Sequence, residues 1–299
     1  MVPVNQVEEE EGESKHHISK GDNIMNLRVL EKSENYIRFI LGDVDVAFAN
    51  ALRRIMISEV PTLAIDEVVI LENTSPLFDE ILAHRLGMIP LITDLDTYVL
   101  PSKCDCKGAG CPQCQVTLTL EKEATDEPVM VYSRDLKSQD PKIKAAIDKI
   151  PILKLAKGQR LLLEAYAKLG ISQDHAKWQA ATTATFKYMP IIIVENDKVD
   201  ESCKKVIDAC PRQILTWEVD SKGKPKIGIV DAINCSLCQA CVEACETDAI
   251  QIQWSDRTFI FDVESTGAHP AEKIVEVAIQ ILQNKAVEFS TQLKVMQKP

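Results

Sequence analysis

The spacing of apolar and polar positions divides the chain into segments of two kinds. Between Met25 and Leu41, Leu27 and Val29 alternate with polar neighbours, as do Ile37 and Phe39, which predicts two strands around a turn at Lys32–Asn35. From Asp43 the period changes. Val46, Ala49, Leu52, Met56 and Val60 recur at helical spacing, Asp43 or Asp45 can cap the start, and Pro61 ends the run. Ile65–Glu72 is rich in β-branched residues and predicts a strand. Phe78, Ile81, Leu82, Leu86 and Ile89 then form a second helical face, closed by Pro90. Both helices are too short to hold in water alone, so packing must stabilise them.

Beyond Thr93 the pattern becomes mostly strand-like. Val116–Leu120, Val129–Tyr132, Ile152–Leu155, Arg160–Leu169, Thr182–Tyr188 and Ile191–Val194 all predict strands. Phe259–Glu264 predicts another. A long amphipathic helix starts at Pro270, with Ile274, Val275, Ala278, Ile281, Leu282 and Val287 along its stripe. The stripe fits packing on its own domain or against a partner helix. The chain leaves its first domain near residue 95 and returns near residue 254. The expected organisation is α+β: an acidic tail over 1–22, a first domain over 23–95 plus 254–299, a β-rich insert over 96–194, and a cysteine-bearing unit over 195–253. The tail carries Glu8–Glu11 and the adjacent His16 and His17, and its composition predicts disorder.

Charge narrows the function. The net charge of -11 argues against a broad nucleic-acid surface, which needs a basic footprint. No apolar run is long enough to span a membrane, and the first residues lack a signal-peptide layout, so a cytoplasmic setting is expected. Arg53, Arg54, His84 and Arg85 lie beside apolar helical faces. They fit solvated charge or the polar rim of a docking surface. No paired-carboxylate cluster for two-metal chemistry and no glycine-rich phosphate loop occurs, so no catalytic residue is expected. His175 and Trp178 fit a core or interface role.

The ten cysteines form groups, which favours metal or cluster ligation over a disulfide scaffold. Cys104-x-Cys106-x4-Cys111-x2-Cys114 offers four soft thiolates, with Gly108 and Gly110 allowing a tight turn. That set suits one structural zinc ion; a reduced empty loop and a disulfide are the alternatives. Cys235-x2-Cys238-x2-Cys241-x3-Cys245 is the bacterial ferredoxin run, except that Glu246 stands where proline is usual. Cys210-Pro211 lies upstream, with Cys203 at the second position of a decayed first run whose other positions are Asp200 and Val206. The fourth cysteine of each run ligates the other run's cluster. One cluster therefore keeps Cys210, Cys235, Cys238 and Cys241. Cys203 and Cys245 remain as a spare pair expected close together, as thiols or as a disulfide. One [4Fe–4S] cluster is expected, with [3Fe–4S] as the alternative.

The stretches NALRRIMISEVPTLAIDEVVI and LFDEILAHRLGMIPL resemble the signature of the α-type assembly subunits of cellular RNA polymerases. Together with the β-rich and ferredoxin-like inserts, the chain resembles the archaeal branch of that family, the D-type assembly subunits. The resemblance implies a dimerisation domain interrupted by a β-rich insert domain and a ferredoxin-like iron–sulfur domain. It also implies a non-catalytic scaffold, part of a nucleotidyltransferase complex, that forms a heterodimer with a small α-like subunit, L. That pair seats the large catalytic subunits and the small zinc-containing subunits N and P. The expected partner interface comprises Leu52, Arg53, Arg54, Met56, Ile81, His84, Arg85, Ile274, Ala278 and Ile281. The competing function is an iron–sulfur electron-transfer or redox-sensing protein. Against it stand a missing flavin or nicotinamide fingerprint and a second cluster lost from the relay.

Overall fold

The computed structural model describes residues 25–296; the expected tail over 1–22, with His16 and His17, lies outside the described residues. Strands β1 (Asn26–Lys32) and β2 (Tyr36–Gly42) form the expected hairpin. Helix α1 (Val46–Ser58) follows, and the Asp45 carboxylate accepts the Phe48 amide at 2.7 Å, so Asp45 is the cap. Strand β3 (Thr62–Asn73) leads to α2 (Asp79–Gly87). A strand-rich block holds β4 (Gln115–Glu123), β5 (Val129–Tyr132), β6 (Lys137–Ser138), β7 (Pro151–Leu155) and β8 (Arg160–Gly170). Strand β9 (Ala181–Val194) enters a small unit of α3 (Lys205–Ala209), β10 (Leu215–Val219), β11 (Pro225–Ile229) and α4 (Ala240–Glu243). Strand β12 (Ile250–Ser265) and helix α5 (Ala271–Met296) complete the chain.

Three apolar cores result. The first lies between the antiparallel sheet β1-β2-β12-β9 and the pair α1 and α5. Alternation along the strands sends Phe39, Leu41, Phe259 and Phe261 to the helix side, where Phe39 and Phe261 stack at 5.0 Å. Leu52 and Met56 of α1, with Ile274 and Ala278 of α5, fill this core and are fully buried. That corrects the expectation that these four face a partner. Periodicity marks an apolar face without saying which surface covers it.

The second core lies under the sheet β3-β8-β4-β6 and the ribbon β5-β7. Strand β3 pairs with β8 from Thr62↔Gly170 to Asn73↔Leu161. Leu63, Ile65, Leu82, Leu86 and Leu91 pack there with Leu118 and Leu163. The span 23–95, expected to form one unit, is thus divided by packing: β3 and α2 share the core of the β-rich block.

The third core is reached by a ribbon. Strands β9 and β12 pair in the first sheet and continue past an irregularity between Ser255 and Phe259. Their far ends put Ile192, Val194, Ile250 and Ile252 against Val206, Ile214, Ile227 and the cysteines. Two strands of the first domain thus carry the small unit directly.

Candidate metal centres and assembly surface

The first cysteine group closes on itself. Cys104 Sγ lies 3.4 Å from both Cys106 Sγ and Cys111 Sγ; Cys106 and Cys114 are 3.5 Å apart, and Cys111 and Cys114 3.8 Å. A tetrahedral ion with ~2.3 Å bonds to sulfur has an edge of ~3.8 Å, so the set fits a single four-coordinate ion. Lys107, Gly108 and Gly110, at φ 53°, 83° and 86°, turn the chain between the two halves. Hydrogen bonds from Cys104 and then Cys114 pull the Cys106 thiol down to about 6. The Cys106 amide pulls the Cys104 thiol down, yet side-chain hydrogen bonding to Cys106 and burial push it up to about 12.

The second group is wider. Cys210, Cys235, Cys238 and Cys241 line one narrow cavity walled by Ile192, Ile214, Leu215 and Ile252. Among the described residues, only the first group brings three or more such ligand atoms within 4.8 Å of one another. The second group therefore does not close around a single point as the first does. Leu237 and Gln239 sit at φ 59° and 65°, and the Leu237 amide donates to Cys235 Sγ at 3.4 Å. Burial pushes the Cys241 thiol up to about 11, while the Ala240 amide, then the Ser236 side chain, hold Cys238 down. Among the described residues, Lys107, Gln213, Leu237, Gln239 and Asp248 are left-handed non-glycine positions within three residues of a cysteine, and Asp43, ahead of α1, is the remaining one. Cys203 and Cys245 stand apart from the cavity, both buried, with their sulfurs 3.9 Å apart as free thiols.

The outward faces of the helices make a different surface. Helix α5 has 26 residues, or ~39 Å at 1.5 Å per residue. Its first turns are buried, Ile281 and Leu282 lie at the core edge, and the rest is exposed. Ile279, Leu282, Ala286, Phe289 and Leu293 recur at alternating intervals of three and four, the spacing of a coiled-coil seam. Phe289 is 64% exposed. Sequence reading followed the inward stripe and missed this one, although the spacing is legible.

On α2, Ile81 is 47% exposed beside the exposed Phe78 and Met88. His84 and Arg85 are exposed as well, and Arg85 donates to the Pro151 carbonyl at 2.8 Å. Arg53 is half-buried and bonds Asn50 at 3.1 and 3.0 Å; Arg54 is exposed, and both rim an open groove with Ser58, Gln173 and Lys285. Trp178 lies against Gly170 and donates to the Lys168 carbonyl at 3.1 Å, while His175 is exposed at its edge. Sequence reading also missed His269, which is buried and bonds the Pro61 carbonyl through Nε2 at 2.9 Å. No described helix is long and apolar enough to cross a membrane.

Residues 65–194 match the family described as the RNA polymerase Rpb3/RpoA insert domain. The chain is 43% identical over 266 residues to the DNA-directed RNA polymerase subunit Rpo3 of Methanosarcina acetivorans, covering 89% of this chain and 97% of that one. It is 41% identical over 271 residues to Rpo3 of Pyrococcus furiosus, covering 90% and 97%. It is 36% identical over 286 residues to the DNA-directed RNA polymerase II subunit rpb3 of Dictyostelium discoideum, covering 89% and 94%. These names correct the expected D-type label: the relatives are Rpo3 and Rpb3. The cysteine pattern behind that label describes an insert, which does not fix a subunit's name.

Proposed function

The chain belongs to the Rpo3/Rpb3 family of RNA polymerase subunits, and from that premise we propose how its parts serve assembly. It is a non-catalytic assembly subunit that pairs with another α-like subunit within the nucleotidyltransferase complex. Membership decides between the two functions the sequence held open.

The exposed seam of α5 carries the pairing. A helix that buries its first turns and leaves Ile279, Phe289 and Leu293 in solvent needs a second helix to cover it. The small α-like partner, L in the expected naming, packs along this seam. Ile81, His84, Arg85, Arg53 and Arg54 present apolar anchors and polar rims to the large subunits and to N and P. Such a platform works beside DNA in the cytoplasm without touching it. Co-expression with the α-like partner tests this: one stable heterodimer should elute, and a chain that remains a folded monomer beside excess partner would overturn it.

Two metal centres support the platform. Cys104, Cys106, Cys111 and Cys114 hold one structural zinc, leaving no open position for chemistry. Cys210, Cys235, Cys238 and Cys241 hold one iron–sulfur cluster, [4Fe–4S] on the four-ligand count and [3Fe–4S] if one iron is lost. The apolar-walled cavity shared by the four cysteines and the left-handed Leu237, whose amide donates to Cys235 Sγ, support this assignment. A cluster bound only by the folded chain adds its binding energy to folding, so it acts as a staple for the small ferredoxin-like unit. Cys203 and Cys245, too few for a second cluster, remain as a thiol pair.

A further inference from the structure

The first sheet has two faces, and the helices cover one. On the other lie Arg38 of β2, Ile260 and Asp262 of β12 and Lys187 of β9; the register pairs Arg38 with Asp262 and Lys187 with Ile260. The loop that begins the second cysteine run folds across this face. Lys187 Nζ donates to the Ile233 carbonyl at 2.7 Å and to the Cys235 carbonyl at 2.9 Å. Arg38 reaches the same loop, donating to Asn234 Oδ1 at 3.1 Å.

The two cations differ. Arg38 faces the Asp262 carboxylate at 3.4 Å, which offsets its charge. Lys187 has no carboxylate within ion-pair distance among the described residues; its protons go to backbone carbonyls. It is half-buried, so its charge is less screened than a surface lysine's. Arg212, at the cavity wall, adds a further cation nearby.

We propose that Lys187 is a positioning residue for the iron–sulfur site: it holds the Cys235 peptide in its ligating conformation and sets a positive charge with no ion-pair partner beside the Cys235 loop. The inference rests on the cluster assignment above. Four thiolates around an iron–sulfur core carry net negative charge, and reduction makes it more negative. A fixed cation therefore favours the reduced form, because net charge and hydrogen bonding set cluster potentials. The signal comes from outside the cysteine unit, on a strand of the first sheet, so a cysteine motif alone does not reveal it.

The test uses the full chain co-purified anaerobically with its α-like partner. Lys187→Met removes both donors and charge, Lys187→Gln keeps a donor and removes the charge, and Lys187→Arg keeps both. Iron per chain, the rate of iron loss to a chelator and the midpoint potential are measured. Lys187→Met should lose iron at least tenfold faster than wild type. Lys187→Gln should retain iron but shift the midpoint to more negative potential, and Lys187→Arg should stay near wild type in both. Should Lys187→Met fail to fold, Lys187→Gln still reports the charge. A wild-type cluster with rate and potential unchanged in all three variants overturns the proposal alone. Wild-type protein that binds no iron after incubation with ferrous iron and sulfide overturns the cluster assignment, and the proposal with it.

Discussion

Phe289→Asp tests which face of α5 belongs to the partner. Phe289 is 64% exposed in the free chain. An aromatic side chain offers ~200 Å², so pairing buries up to ~130 Å² there, about 3 kcal/mol at ~25 cal/mol per Å². Truncation alone should then weaken pairing roughly a hundredfold, and a buried carboxylate adds its desolvation cost. Leu52→Asp is the control. Leu52 is 1% exposed and lies within the chain's own core, so its charged variant should unfold the protein rather than merely detach the partner. Calorimetric titration with the α-like partner, beside circular dichroism of each chain, separates the two. Phe289→Asp should keep the wild-type spectrum and melting temperature while losing affinity. Wild-type affinity in Phe289→Asp would refute the seam. A Leu52→Asp chain that melts like wild type but fails to pair would show that the faces are reversed.

Changing Cys111 and Cys114 together to Ser should remove one zinc per chain by elemental analysis; an unchanged zinc content would remove that assignment. Iron analysis of anaerobic protein should give about four irons per chain, whereas about eight would mean two clusters. Gly170→Ala should lower stability by about 1–3 kcal/mol in denaturant unfolding, because its Cβ would overlap the Trp178 ring; an unchanged midpoint would show that the ring moves freely aside. Burial lowers the His269 pKa below its ordinary value of ~6.5. At higher pH the ring is neutral folded or unfolded. Below ~6.5 the unfolded chain takes the proton first, so stability falls with pH until the lowered folded pKa is passed. His269→Gln should flatten that acid slope, and a slope identical to wild type would assign it to other groups.

Local features of this protein are written in local residues. Alternation at Leu27 and Val29 and at Ile37 and Phe39 encodes the first hairpin, because a strand's side-chain period is a backbone property. The x2 and x4 spacings of Cys104–Cys114 suffice for a closed group, since all four ligands lie on one short loop. Cys210 is different: its place beside Cys235 follows in the sequence only from the ferredoxin pattern, and packing of α3 against α4 brings the two segments together.

Residue order therefore settles the longer elements, their periods and which side chains stand ready as ligands, whereas the short β6, α3, β10, β11 and α4 carry too few residues to show a period. Three further matters waited on the closed fold. It turned Leu52, Met56, Ile274 and Ala278 inward and left Phe289 outward. It joined β3 and α2 to the β-rich core, and it laid the Cys235 loop over Lys187. One cause underlies all three. An apolar stripe or a lysine specifies what must be covered or paired, but the covering surface comes from residues far away in the chain, and only folding brings the two together.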